Sequence, residues 1–188
     1  MRKSFYRAAL APLLLLGSVS TTQAATWVID PEGSEVVFSY TYSGTPYSGK
    51  FVNIDATFEI DPTSPADCQI DVTIPIEDMA IDDEETKSYL LDIELFDVGR
   101  FPTATFTADS CEMESMNEFV ADGQLTIRDQ THPLRFPFTL NIEGDRFNLT
   151  SEVTIQRLDY GVGQGYFANT SAIPNEIDVA VDVYAEMQ

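Results

Sequence analysis

The 188-residue chain carries 31 Asp or Glu against 10 Lys or Arg, a formal net charge of −21. That length suits one domain with its own core, and that charge repels nucleic acid and anionic lipid surfaces, so polyanion binding is excluded as a default role. One His and two Cys leave little metal-ligating chemistry.

Residues 1–24 read as a cleaved secretory signal peptide. Arg2, Lys3 and Arg7 form its positive end, Ala8 to Val19 its apolar stretch, and Thr22-Gln23-Ala24 the small residues before the cut. The stretch falls short of the ~20 apolar residues a bilayer span needs, and no Cys follows it to take a lipid anchor. The expected mature domain is residues 25–188. Its charge moves from −21 to −24, because three cations and no acids leave.

Period-two alternation dominates the rest. Val36, Phe38, Tyr40 and Tyr42 alternate with polar residues, as do Val52 to Ile60 and Ile70 to Ile76. The same holds for Leu125/Ile127, Leu134 to Ile142, Phe147 to Ile155 and Ile177 to Val183. Each run predicts a strand with one wet and one dry face. Turn signals separate them: Ser43-Gly44-Thr45-Pro46, Asp61 to Pro65, Ala121-Asp122-Gly123, Arg128 to Thr131 and Glu143-Gly144-Asp145. About eight antiparallel strands with one dry face must close into a barrel or pair with a second sheet. The dry face is rich in Phe, which fits either a filled core or the wall of a ligand cavity.

One segment breaks the pattern. Asp82 to Val98 places Tyr89, Leu90, Ile93, Leu95 and Phe96 at helical spacing, with Asp82, Asp83, Glu84 and Glu85 at the positive N-terminal end. Gly99 is expected to end this helix and Pro102 to bar its return. Such a helix can cap one open end of a barrel.

Cys68 and Cys111 are expected to form a disulfide, as an even pair in an exported chain. Pairing Ile76 with Thr103 sets Cys68 opposite Cys111, but it also sets inward Ile70 opposite Asp109. A one-residue bulge between Phe106 and Cys111 reconciles the two.

Catalytic and metal signals are weak. His132 reads as a solvated turn residue before a strand, and a general-base role with Asp129 is the enzymatic alternative. No metal-ligand spacing occurs. Gly161, Gly163 and Gly165 lack the strand-to-helix context of a nucleotide loop and suit tight bends.

Three ordered motifs resemble the YceI-like family. "LFDVGRFPTATFTA" resembles its helix-to-strand signature through Phe96, Asp97, Val98, Phe101, Pro102, Ala104 and Phe106. "GQLTIRDQTHPLRFPFTL" is similar to its hairpin through Gly123, Leu125, Thr126, Ile127, Thr131 and Pro133. The ending "QRLDYGVGQGYFANTS" is similar through Arg157, Asp159, Tyr160, Gly161, Gly163, Phe167, Ala168, Asn169, Thr170 and Ser171. Phe167 departs from the family's frequent Trp, and Ser43-Gly44 from a longer aliphatic stretch.

The resemblance implies an all-β, extended, lipocalin-like antiparallel barrel, periplasmic or secreted, whose apolar interior holds an isoprenoid lipid such as a quinone tail or polyprenyl chain. Transport or storage, rather than enzymatic chemistry, is the expected role. Delivering or sequestering quinone for a membrane b-type cytochrome is the alternative. No cofactor beyond the lipid and no metal are expected; transient membrane contact and a homodimer are open partner expectations. The expected cavity wall is Phe38, Tyr40, Phe58, Ile74, Leu90, Phe96, Phe106, Ile127, Phe136, Phe138 and Val153. Tyr40 or Tyr42 is a candidate hydrogen-bonding partner for a head group.

Overall fold

The structure, a computed structural model, describes residues 25–188; the expected signal peptide lies outside them. Ten strands form one antiparallel sheet: β1 (Thr26–Ile29), β2 (Glu35–Tyr42), β3 (Thr45–Phe51), β4 (Asp55–Glu59), β5 (Gln69–Pro75), β6 (Thr103–Met113), β7 (Glu118–Ile127), β8 (Gln130–Glu143), β9 (Arg146–Gln156) and β10 (Glu176–Met187). The helix α1 spans Glu84–Leu91.

The sheet closes because β10 pairs twice along one edge. Its last residues meet β1 (Ile29 opposite Ala185) and its first meet β2 (Phe38 opposite Val179). β1 and β2 therefore lie in line, interrupted at residues 30–34. β4 and β3 continue the next position, one pairing with β1 and the other with β2. The result is a closed antiparallel barrel of eight strand positions, the size at which the interior either fills with side chains or holds one small ligand.

Charge decides which face is wet. Asp55, Thr57 and Glu59 on β4, and Asp71 and Thr73 on β5, alternate with Ala56, Phe58, Ile70 and Val72. Apolar residues inside and carboxylates outside invert the pattern of a lipid-facing barrel.

Two long connections cover one end. Residues 76–102 join β5 to β6, and residues 157–175 join β9 to β10. The opposite end carries the β4–β5, β6–β7 and β8–β9 turns and is filled by core. There Phe147 packs 5.2 Å from both Trp27 and Phe58, centroid to centroid.

Three expectations need correction. The helix stops at Leu91, well short of Val98, because Asp92 adopts extended backbone and Ile93 turns back onto the Asp92 carboxylate; Gly99 plays no part in ending it. Ile93, expected on the apolar face, is 62% exposed. Thr45 and Pro46, read as turn, begin the strand β3, and Ala121-Asp122-Gly123, also read as turn, lie within β7. Pro46 is tolerated because β3 is an edge strand, last in the sheet order.

Third, β5 and β6 pair one residue away from the expected register. Pro75 lies opposite Thr103, and Ile70 opposite Ala108 instead of Asp109. The bulge falls where expected, between Ala108 and Cys111 of β6. It turns the Cys111 side chain inward toward Cys68, and the disulfide forms with Cα atoms 5.7 Å apart.

Candidate functional site

The inward face of each strand changes character along its length. On β10, Ala185 and Val183 are fully dry, whereas Val181, Val179 and Ile177 on the same face remain partly accessible. On β8, Leu140 and Phe138 are dry and Phe136 and Leu134 are not. β5 repeats this, with Ile70 dry and Val72 and Ile74 accessible. Inward residues touched by a solvent-sized sphere mark a hollow.

The hollow measures about 200 Å³ as space open to the centre of a water-sized sphere. One water needs roughly 10–15 Å³ on that measure. Its wall draws on every strand position and on the β5–β6 connection. Tyr40 and Arg157 are the two lining residues with polar side chains, yet no polar surface faces the hollow; every other lining side chain is hydrocarbon. At ~24 cal/mol per Å³ of unfilled space, such a void costs about 5 kcal/mol relative to a packed interior. A domain of ordinary stability, ~5–15 kcal/mol, carries that burden only where emptiness has a use.

Of the expected wall residues, the structure places Phe38, Tyr40, Phe58, Ile74, Leu90, Phe96, Phe106, Ile127, Phe136 and Val153 around the hollow. Phe138 is the exception. It lies beyond the hollow, in the filled end, stacked 5.5 Å from Phe119 and 5.9 Å from Phe136. Phe51, Leu95, Val162, Ile173 and Arg157 line the hollow without having been singled out for it. Arg157 had a legible signal, since it continues the inward series Val153, Ile155 at period two.

Tyr40 is half-buried between Phe38 and Tyr47, with ring centroids 6.3 and 5.5 Å away. Burial first, and the neighbouring Tyr47 second, hold its hydroxyl above the usual phenol pKa. It is a neutral donor throughout the physiological range.

The lidded end is fastened by one arginine. Arg128 Nη1 donates to the carbonyls of Ile93 and Leu95 in one connection and of Gly161 in the other. Its Nη2 lies 3.5 Å from Asp97 Oδ2. The two connections also meet directly, where Gly163 N and Gln164 N donate to the Glu94 carbonyl. Gly161, Gly163 and Gly165 all hold positive φ here, as tight bends require.

His132 does not sit in a turn; it lies in β8, with Nε2 3.0 Å from the Asp159 carbonyl oxygen and the ring edge-on to Tyr160. Asp129 accepts from Gln130 instead. The structure thus leaves the histidine and Asp129 without the mutual contact a catalytic pair requires.

A family model described as "YceI-like domain" matches residues 27–185. Curated relatives called Protein YceI, from Salmonella newport (strain SL254) and Salmonella arizonae, are 30% identical over 148 residues, which is 77% of this chain and 76% of theirs. Among solved structures, Burkholderia cenocepacia BcnA superposes with a TM-score of 0.80 at 22% identity, covering 83% of this chain and 98% of its own. A polyisoprenoid binding domain from Saccharophagus degradans, implicated in plant cell wall breakdown, gives 0.71 at 12% identity, covering 88% and 100%. A Campylobacter jejuni YCEI protein gives 0.68 at 20% identity, covering 74% and 84%. At these identities the structural matches speak for the fold.

Proposed function

The chain belongs to the YceI-like family, and on that premise we propose that it is an exported, non-enzymatic protein holding one isoprenoid lipid inside its barrel for transport or storage. The observation that carries this reading is the hollow itself: one continuous inward face, dry at one end and accessible at the other, with a hydrocarbon wall. The Saccharophagus domain, described as polyisoprenoid-binding, has the same fold and supports the ligand class. Export agrees with the N-terminal reading and with the disulfide, which persists in oxidising compartments.

A prenyl tail offers no hydrogen-bonding groups, so shape and burial must hold it. Removing it from water gains ~0.8 kcal/mol per CH₂-sized group. Taken from a membrane, the tail is already dry, and only the difference between two apolar surroundings remains. Loading and unloading therefore need no energy source, which suits a shuttle or reservoir.

Native mass spectrometry of the purified mature chain, followed by organic extraction, tests the reading. A bound prenyl lipid of defined mass is expected. A chain that stays empty after incubation with prenyl alcohols and quinones would defeat it.

A further inference from the structure

We propose that the lidded end docks on a neutral or zwitterionic lipid surface through four exposed tyrosines, Tyr42, Tyr47, Tyr89 and Tyr166, and loads its lipid there directly from the bilayer. This rests on the lipid-holding reading and adds where the lipid enters and what the protein touches as it does.

These four are the exposed aromatic side chains among the described residues, at 36, 37, 54 and 62% exposure. They come from three segments at the lidded end: Tyr42 and Tyr47 from the β2–β3 hairpin, Tyr89 from α1, and Tyr166 from the connection between β9 and β10. They are neighbours. The Tyr42 hydroxyl is held above the usual phenol pKa, with the Tyr166 hydroxyl as the first cause and Tyr47 and Tyr89 among the lesser ones. Ser43 N donates to the Ala172 carbonyl at 2.8 Å, which ties the hairpin to that second connection.

The group is continuous with the hollow. Tyr40 lines the hollow and stacks 5.5 Å from Tyr47, and Leu90, next to Tyr89 on α1, lines it too. The barrel wall is also unlaced here. Lys50 exchanges two backbone hydrogen bonds with Ala80, and beyond that bridge Thr45 to Gly49 find no backbone partner on the outer side of β3 among the described residues. A seam without a ladder parts without breaking sheet pairing. This one lies between the strand that carries Tyr47 and the connection that carries Tyr89.

Two arguments choose a membrane over a protein as the occupant. Tyrosine sets its ring in apolar surroundings and its hydroxyl in wet ones, the pairing that a bilayer interface offers. The second argument is kinetic. Each CH₂-sized group exposed to water slows the escape of a prenyl tail by about fourfold, a barrier that vanishes where the mouth touches the bilayer. Charge then selects the lipid. With 31 acids in the chain and Glu85 accepting from the Tyr89 hydroxyl, an anionic surface is repelled.

The test uses the mature chain, residues 25–188, and phosphatidylcholine vesicles loaded with a fluorescent prenyl lipid. The uptake rate is expected to rise in proportion to vesicle concentration, because encounter limits it. A rate that ignores vesicle concentration is limited by escape into water; it overturns the proposal and leaves the lipid-holding reading intact. No uptake, from vesicles or from the same lipid added in ethanol, overturns both. Replacing about a third of the phosphatidylcholine by phosphatidylglycerol is expected to slow uptake at low salt, and faster uptake overturns the choice of a neutral surface. Tyr89→Ser combined with Tyr166→Ser is expected to slow vesicle uptake about tenfold, while affinity read by displacement of the fluorescent lipid in solution stays within about twofold. Met116→Ser, 93% exposed at the opposite end, is the control and should leave the rate unchanged. Equal slowing by the control overturns the proposal, as does unchanged uptake in the double variant. If that double variant breaks up a dimer instead, the face belongs to a second copy.

Discussion

Arg128 Nη2 stands 3.5 Å from Asp97 Oδ2, with the two side chains only 10% and 9% exposed. The same guanidinium holds carbonyls from both connections over the hollow. One residue of the β7–β8 turn therefore ties both connections together over the cavity, beside their direct contact at the Glu94 carbonyl. Arg100 reaches Asp97 as well, but from solvent, at 67% exposure, and contributes little there.

Arg128→Gln leaves the Asp97 carboxylate buried beside an exposed partner alone. Breaking such a pair from one side costs about 3 kcal/mol, a fall of roughly 6–12 °C in Tm for a domain of this size. The latch makes a sharper demand: backbone amides of Phe96, Val98 and Gly163 must exchange faster than those of β9 and β10, and a bound lipid must leave sooner. A uniform loss of protection, with lipid release unchanged, counts against a latch.

Cys68 and Cys111 join the filled end, 43 residues apart in sequence. Cutting the bond frees a loop of that length in the unfolded chain, worth about 4 kcal/mol in the chain-entropy account. Reduction with dithiothreitol is expected to lower Tm by roughly 8–16 °C. Lipid affinity below the melt should stay within twofold, because the disulfide lies at the far end from the lids. A large affinity loss on reduction would show that the filled end shapes the cavity after all.

Most of the barrel was legible because dry and wet faces alternate in the residues themselves. β3 was not, and its neighbours explain why. Gly49 faces inward where the Phe38 ring and Ile81 already occupy the space, and a Cβ there would overlap both. The apolar signal for that position is thus written in β2 and in the β5–β6 connection. The helix was overextended because Leu95 and Phe96 do turn toward the cavity, yet from irregular backbone that spacing cannot distinguish from another helical turn. Phe136 and Phe138 share a face, and alternation carries no information about depth along the barrel. Which one meets the hollow depends on where Phe119 stacks from the adjacent strand.

That distinction is testable with two substitutions. Phe138→Ala removes a ring from filled core and is expected to cost about 3–5 kcal/mol, with lipid uptake per folded molecule unchanged. Ala104→Phe, from the cavity wall opposite Ile74, puts a ring into vacant space. It should reduce uptake of a prenyl probe tenfold or more while Tm holds or rises. Calorimetry and the displacement assay together read both outcomes, and uptake that survives Ala104→Phe would mean the lipid binds elsewhere.

Acid should loosen the lid before the barrel. Asp83 caps α1, accepting from Thr86 N at 2.7 Å and Thr86 Oγ1 at 2.6 Å. The hydroxyl bond first, and the backbone bond second, hold its carboxyl below the ordinary 3.8. A carboxyl with a depressed folded pKa stabilises fully above its ordinary value and loses that contribution as pH falls through the depressed one. Below about pH 4 the α1 amides are therefore expected to lose protection, relative to those of β10, as pH is stepped down. Asp83→Asn keeps a capping oxygen but cannot titrate, so it should flatten this dependence without unwinding the helix at neutral pH. Should the Asn variant lose α1 protection along the same acid curve as wild type, the pH response belongs to other carboxylates.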